Sequence, residues 1–251
     1  RNTILRNLEK ALTEEDPTRK QALMNIVVVG GGASGVEIAG AVAEMKKNII
    51  ARDYPDLDSS QMHIYLVNAS DRLLSAMDPM SSKRAEADLK ELHVHIRQPQ
   101  FATEYKDGIL KTSAGLEIPT QTVIWVSGIC ANKIAGFPAE SIGHAGRLLT
   151  DRFCRVKGLK DVYAIGDISL IEGDEEYPLG HPQLAQVAMQ QAKTVAKNLK
   201  AIAKGEEPKP FKYKNLGVMA TIGRNHAVAE ISGKKFGGFP AWVLWLIVHL
   251  R

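Results

Sequence analysis

Cysteine is nearly absent: Cys130 and Cys154 are the only two in 251 residues. They form neither a C-x-x-C nor a C-x4-C pair, so a disulfide framework and a cysteine-built metal site fall away. Both read as reduced thiols in a core. Metal-ligand spacing is also lacking. His93 and His95 alternate around Val94 and are assigned to the exposed face of a strand, with no Cys or carboxylate joining them at ligand distance. An excess of one charge is missing too. The net charge is +4 with basic and acidic residues interleaved. No basic stripe, RNP-like motif or Cys/His finger occurs, which excludes nucleic acid as a partner. No apolar run reaches the ~20 residues that cross a bilayer. No signal peptide opens the chain. The start at Arg1-Asn2-Thr3 already reads as helix, and the apolar tail stops at Arg251, so the sequence is expected to be a piece of a longer one. Internal repeats and low-complexity stretches are absent.

What is present is an ordinary globular composition, 45% hydrophobic and 24% charged, long enough to bury a core without staples. Residues 2–13 place Ile4, Leu5, Leu8 and Leu12 at helical spacing, and Pro17 interrupts them. Residues 24–29 form a continuous apolar run that fits a buried parallel strand. Helix is predicted from Val36 to about Arg52 and over 81–92, and strands over 63–67 and 94–97. A meander follows from Phe101 to Pro119, turned at Asp107-Gly108 and Ala114-Gly115, and a strand over 122–126 closes the unit. Beyond Gly128 come a loop-rich stretch, a strand over 162–165, a long helix from about Gln183 to Lys204, and short strands near 217–222 and 226–231. The alternation defines an α/β nucleotide-binding fold with a small antiparallel excursion.

Gly30-Gly31-Gly32-Ala33-Ser34-Gly35 matches G-x-G-x-x-G directly after a strand and at the opening of a helix. Gly30 permits the tight turn. Gly32 lets a pyrophosphate approach the backbone, where Ala33 and Ser34 open the helix and supply N–H groups. Gly35 allows close helix–strand packing. Asn68 ends the second strand, where an acidic residue would ordinarily accept from the adenosine ribose. An amide there cannot repel a 2′-phosphate, and Arg72 is near, so NADH use with weakened discrimination against NADPH is expected. Glu37 is placed on the helix's first turn. It reads either as a carboxylate complementing the helix dipole or as a group beside the nicotinamide.

Read together, three segments sharpen the assignment. Residues 29–40, including Glu37 and Gly40, resemble the NADH-binding segment of type II NADH dehydrogenases, the single-subunit quinone reductases of respiratory membranes. Val162-Tyr163-Ala164-Ile165-Gly166-Asp167 is similar to the second flavin-binding segment of the two-dinucleotide-domain flavoproteins. Ala185-Gln186-Val187-Ala188-Met189-Gln190-Gln191 looks like the A-Q-x-A-x-Q-Q helix start of the same dehydrogenases. The resemblance covers essentially the whole chain. It implies a Rossmann-like NADH-binding domain inserted in a partial FAD-binding α/β domain, with FAD and NADH as cofactors. Hydride passes from NADH to FAD, and two electrons then reach a quinone of ubiquinone or menaquinone type. On this resemblance Asp167 accepts from the flavin ribityl hydroxyls. Gly166, Ala185 and Gln186 belong to the flavin site, and Gln186 and Gln190 face the quinone headgroup. Glu37 lies beside the nicotinamide, and Ser127 and Gly128 let it pass. No earlier glycine fingerprint precedes residue 30, again as expected of a truncated flavoprotein.

The expected division is a helix of the FAD lobe over 1–22, an NADH-binding domain over 23–128, the C-terminal part of the FAD domain over 129–232, and a membrane-associating amphipathic segment from 233 to 251. Trp242 and Trp245 lie one turn apart in that tail, as in interfacial anchors, with Lys234 and Lys235 upstream for anionic lipid. A peripheral protein of the cytoplasmic membrane face follows. The tail also suits half of a homodimer interface. Rival readings are a disulfide reductase, a soluble reductase of a small redox protein, and a non-catalytic NADH-binding module.

Overall fold

The computed structural model describes residues 1–250. Its chain divides into two compact units, Arg1–Gly128 with Gly217–Arg251, and Ile129–Leu216.

The first unit opens with α1 (Asn2–Thr13) and α2 (Pro17–Met24). Pro17 does not merely interrupt the first helix: it occupies the first turn of a second, capped by Asp16, whose carboxylate accepts from the Thr18 and Arg19 N–H groups. Proline suits that position because its missing N–H would be unpaired there in any case. The buried stripe of α1 is Ile4, Asn7, Leu8 and Ala11. Leu12, expected inside, is 40% exposed. Asn7 Nδ2 donates to Gln121 O at 3.2 Å and to Thr122 Oγ1 at 2.9 Å. Ile4, Leu8 and Ala11 also share one core with the central sheet, so residues 1–22 pack in this unit.

That sheet is parallel, in the order β3 (Val94–Arg97), β2 (Ile64–Val67), β1 (Ile26–Val29), β7 (Thr122–Trp125). All four β1 residues are buried, because both faces are covered. Ile26 and Val28 face the core with Val36, Ala39, Leu66 and Leu89. Val27 and Val29 face Leu110 and Ile118 of the meander. The meander is β4 (Ala102–Lys106), β5 (Ile109–Thr112) and β6 (Glu117–Pro119), antiparallel as expected. The first crossover helix is α3 (Ala33–Met45), prolonged by a π-helical turn over Lys46–Ile50 and a final turn, α4 (Ala51–Asp53). The second is α5 (Pro79–Glu91).

Residues after 216 complete this unit. The strands β10 (Val218–Thr221), β11 (Ala227–Ile231) and β12 (Lys234–Gly237) form an antiparallel sheet. Ala220, Ile222 and Val228 enter the main core. β12 carries no apolar alternation and escaped the sequence reading. Helix α7 (Phe239–His249) packs Ala241, Trp242 and Leu244 against Ala227 and Ala229. It is apolar around its circumference rather than amphipathic, and Phe239 and Ile247 are 58% and 54% exposed.

The second unit holds the two-stranded parallel pair β8 (Leu148–Thr150) and β9 (Ser169–Ile171) and the long helix α6 (Ala185–Ala203). The strand expected over 162–165 is reduced to one bridge between Arg155 and Tyr163. Its backbone pairs irregularly, Val156 N–H donating to Val162 O and Ala164 N–H to Cys154 O. Cys154 is buried with Ile171, Val187 and Phe211, and burial pushes its thiol up to about 12. Cys130, expected in a core, is exposed.

Candidate dinucleotide and flavin sites

In the first unit the chain leaves β1 at Gly30, whose φ of +122° only glycine adopts without strain. A Cβ on Gly30 would meet the Ser127 N at 3.0 Å, and one on Gly35 would lie 1.7 Å from Gly30 O. Both contacts are tight because the helix start is pressed against the ends of β1 and β7. Gly32 differs: a Cβ there would meet nothing within 4 Å. It is exposed, with Ala33 and Ser34 beside it. The helix starting here has no side-chain cap and no acidic residue in its first turn. Open N–H groups, the positive helix end and free space over Gly32 thus coincide, and a pyrophosphate fits there. Gly128, with φ +80°, also has open space around it. The structure therefore brings Gly30, Gly32, Ala33, Ser34, Gly35, Ser127 and Gly128 to one end of the sheet.

Two expected residues stand differently. Glu37 belongs to the second turn of α3, not the first, because the helix begins at Ala33. It is half-buried, and its Oε1 accepts from the Thr221 N–H at 3.2 Å. Asn68 is buried and turned into its own loop. Its Nδ2 donates to Ser70 O and Arg72 O at 3.1 Å each and to Gln98 Oε1 at 3.2 Å. Arg72 is spent on Met77 O, Ser75 O and the Ser82 hydroxyl. His93 precedes β3 with φ +59°. His95, expected on an open strand face, is half-buried against His63 and stacked on Tyr65. Among the described residues no group of three or more His, Cys, Asp or Glu is placed to hold a metal ion.

In the second unit Gly166 has φ +72°, and a Cβ on it would stand 3.2 Å from the Ala188 Cβ, so the turn packs on the first turns of α6. Gln191, 1% exposed, fixes the same turn: its Oε1 accepts from the Gly166 N–H at 2.6 Å. Gln183 Nε2 donates to Asp167 O. The Asp167 carboxylate is left exposed. Helix α6 begins at Ala185 without a side-chain cap or an acidic residue in its first turn. An exposed carboxylate beside an uncapped helix start fits the polyol and electron-rich ring edge of a flavin. Gln186 and Gln190 are turned to the backbone of 214–216. Gln186 Oε1 accepts from the Leu216 N–H, and Gln190 both donates to Lys214 O and accepts from the Lys214 N–H, each at 2.9 Å. Their spacing put them on one face, as expected; the strap they hold was not legible. Gln191 and Gly40 stood in the quoted motifs without a role. A Cβ on Gly40 would lie 2.8 Å from Gly223 N, so α3 approaches that backbone closely.

A parallel sheet with an open glycine turn, and a second unit with a glycine–aspartate turn at a helix start, define a dinucleotide-binding flavoprotein. Residues 3–192 match the family described as pyridine nucleotide-disulphide oxidoreductase, and the chain belongs to it. Among curated relatives, the chain is similar to the type II NADH:quinone oxidoreductase Ndh of Mycobacterium tuberculosis, at 34% identity over the whole chain and 55% of that protein. A type II NADH:quinone oxidoreductase of Haemophilus influenzae is 30% identical over 88% of the chain and 49% of its own length. The chain thus spans about half the length of these relatives. Among solved structures, NDH2 of Plasmodium falciparum in complex with NADH superposes with a TM-score of 0.87 at 17% identity, over 99% of this chain and 66% of that one. At that identity the likeness establishes the fold. No helix among the described residues is long and apolar enough to cross a membrane.

Proposed function

We propose that the chain is part of an NADH:quinone oxidoreductase, with an NADH-binding domain joined to part of an FAD-binding domain. The observation that carries the reading is the uncapped start of α3 beneath the open Gly32, which suits a pyrophosphate and no side chain of the protein itself. The names of the relatives add the quinone. The chemistry supplied by FAD, when bound, is acceptance of a hydride from NADH and delivery of two electrons to the quinone.

The chain's own residues then have positioning tasks. The backbone of Gly32, Ala33 and Ser34 holds the pyrophosphate of NADH. Asn68 reads the adenosine ribose, and Ser127 and Gly128 leave room for the nicotinamide. Glu37, fixed by Thr221, stands beside that ring. Asp167 orients the ribityl chain, and the N–H groups at Ala185 and Gln186 favour negative charge on the flavin's pyrimidine edge. Gln186 and Gln190 act on the quinone through the strap 214–216 that they hold.

Quinone is lipid-soluble, so a peripheral site on the cytoplasmic face of a membrane suits the reading. Exposed Phe239 and Ile247 on α7 would enter the lipid boundary, while a second copy of the chain is the rival occupant of that surface. Substituting both by serine is expected to reduce cosedimentation with anionic vesicles. The decisive test is NADH-dependent reduction of a short-chain quinone by the FAD-loaded chain and by a longer polypeptide containing it. Failure of the longer polypeptide to reduce quinone would overturn the proposal.

A further inference from the structure

From Ala185 to Leu216 the chain holds seven lysines, no arginine, and two acids, Glu206 and Glu207. Four of the lysines, Lys193, Lys197, Lys200 and Lys204, recur at intervals of three and four residues from α6 into its C-cap. They share one exposed stripe of the helix, about 16 Å long. Gln186 and Gln190 precede them at the same spacing and begin that stripe. The strap after α6 runs back beside the helix. Asn198 holds Lys209 N–H and O, Gln190 holds those of Lys214, and Gln186 holds the Leu216 N–H. Along the strap Phe211 is buried and Tyr213 half-buried, while Lys209, Lys212 and Lys214 are exposed. The strap thus adds a second row of lysines next to the first.

Elsewhere the protein pairs its surface cations. On α5, Lys90 meets Glu86 and Arg84 meets Asp88, each one turn apart, and Lys111 lies within reach of both Glu104 and Glu117. Among the described residues none of the seven lysines forms an ion pair. Like charges one turn apart oppose a helix, and the α6 stripe sets three such contacts in succession. Beside the lysines Met189, Ala192, Ala196, Leu199 and Ala203 make a second exposed stripe, and it is apolar. The outer half of α6 is therefore split lengthwise into a cationic and an apolar strip.

We infer that the second unit docks through this lysine face on a lipid surface that carries anionic headgroups. Ammonium groups on flexible stems meet lipid phosphates as point charges, which relieves their mutual repulsion. The apolar strip beside them suits the boundary between headgroups and acyl chains. Nucleic acid fits this face poorly. It offers no arginine for bidentate phosphate contacts, and no fully exposed ring on which a base could stack. The contact is distinct from that of α7, which is apolar and belongs to the other unit. One consequence is that the glutamine end of the same stripe opens on lipid, where quinone dissolves. That consequence rests on the proposed function; the docking does not.

Vesicle cosedimentation of the chain tests the docking without dinucleotide, flavin or quinone, so its failure is read apart from failure of the enzyme reading. Vesicles of phosphatidylcholine alone are compared with vesicles that also contain phosphatidylglycerol. The chain is expected to prefer the anionic vesicles, and the preference to shrink as salt is raised. Replacing Lys193, Lys197 and Lys200 by Gln together is expected to weaken anionic binding on the order of a hundredfold, at about fivefold per lysine, with Tm within about 2 °C of the parent. A control with the same change of net charge replaces Lys10, Lys83 and Lys106, exposed lysines of the other unit, and is expected to bind almost as the parent does. Phe239→Ser with Ile247→Ser is expected to lower binding to both kinds of vesicle and to leave the preference for charge in place. Equal weakening by the control would reduce the effect to net charge and overturn the inference. So would a preference for anionic vesicles that survives the triple substitution on α6. Tight binding of heparin or an acidic protein by a chain that ignores anionic vesicles would assign the face to another polyanion and overturn it as well.

Discussion

His63 Nδ1 and His95 Nε2 stand 3.3 Å apart. Burial is the first cause that holds both imidazoles below their usual pKa. The charge of Lys46 adds to it, and at His95 the neighbouring His63 and Arg97 do as well. A group lowered in this way is neutral and contributes its full stability above the unfolded value. As pH falls through about 6.5, the unfolded chain takes up the proton first and stability is lost. Melting followed from about pH 7.5 to about pH 5.5 is expected to show a falling Tm. His95→Phe keeps a ring stacked on Tyr65 and removes one titration, so its fall should be shallower. An equal slope in the variant would show that His95 does not contribute. The pair could not be read from the sequence, because spacing along β3 says nothing of a residue 32 positions earlier. The same limit hid Gln98 beneath Asn68. Asn68 itself was legible as the residue that follows the second strand.

At the scale of elements, the strand–turn–helix entry separates two kinds of glycine. Gly32→Ala places a methyl in open space, so Tm is expected to stay within about 1 °C, while NADH binding weakens about tenfold. Gly35→Ala drives a methyl into Gly30 O and is expected to destabilise by about 3 kcal/mol. Equal melting of the two variants would contradict this account. The α6 strap gives another expectation. Gln190→Ala removes both hydrogen bonds to Lys214, and hydrogen exchange at the Lys214 amide should quicken about five- to tenfold. Elements with strong periodicity were the legible ones: β1, β2, α3, α6 and the meander with its Asp107-Gly108 turn. Others lacked a period. β12 has two lysines and a terminal glycine where alternation would be, and residues 162–165 looked like a strand because they are apolar, yet pair irregularly.

For the whole molecule, the division at Gly128 was visible as a change of character, whereas the second boundary was not. Residues 217–251 return to the first unit, because Ala220, Ile222 and Val228 fill its core beside Ile26 and Val36. The stretch over 23–128 is for that reason incomplete, although its glycine fingerprint and strand order look self-contained. A polypeptide ending at Gly128 is expected to bind a hydrophobic dye and to melt at least 10 °C lower, or without cooperativity, since several large core contacts are missing. A cooperative transition at the full chain's temperature would refute that packing account.

The discontinuity also orders events at the ribosome. Polypeptide emerges from its N-terminal end, so the unit begun first cannot be finished first. When Leu216 leaves the tunnel, residues 129–216 of the second unit have all emerged. The older unit still waits for β10, β11 and β12, with the apolar surface that Ala220, Ile222 and Val228 cover still bare. Any chaperone that shields this chain during translation would find its binding surface there, and would be released by the arrival of residues near Ile222.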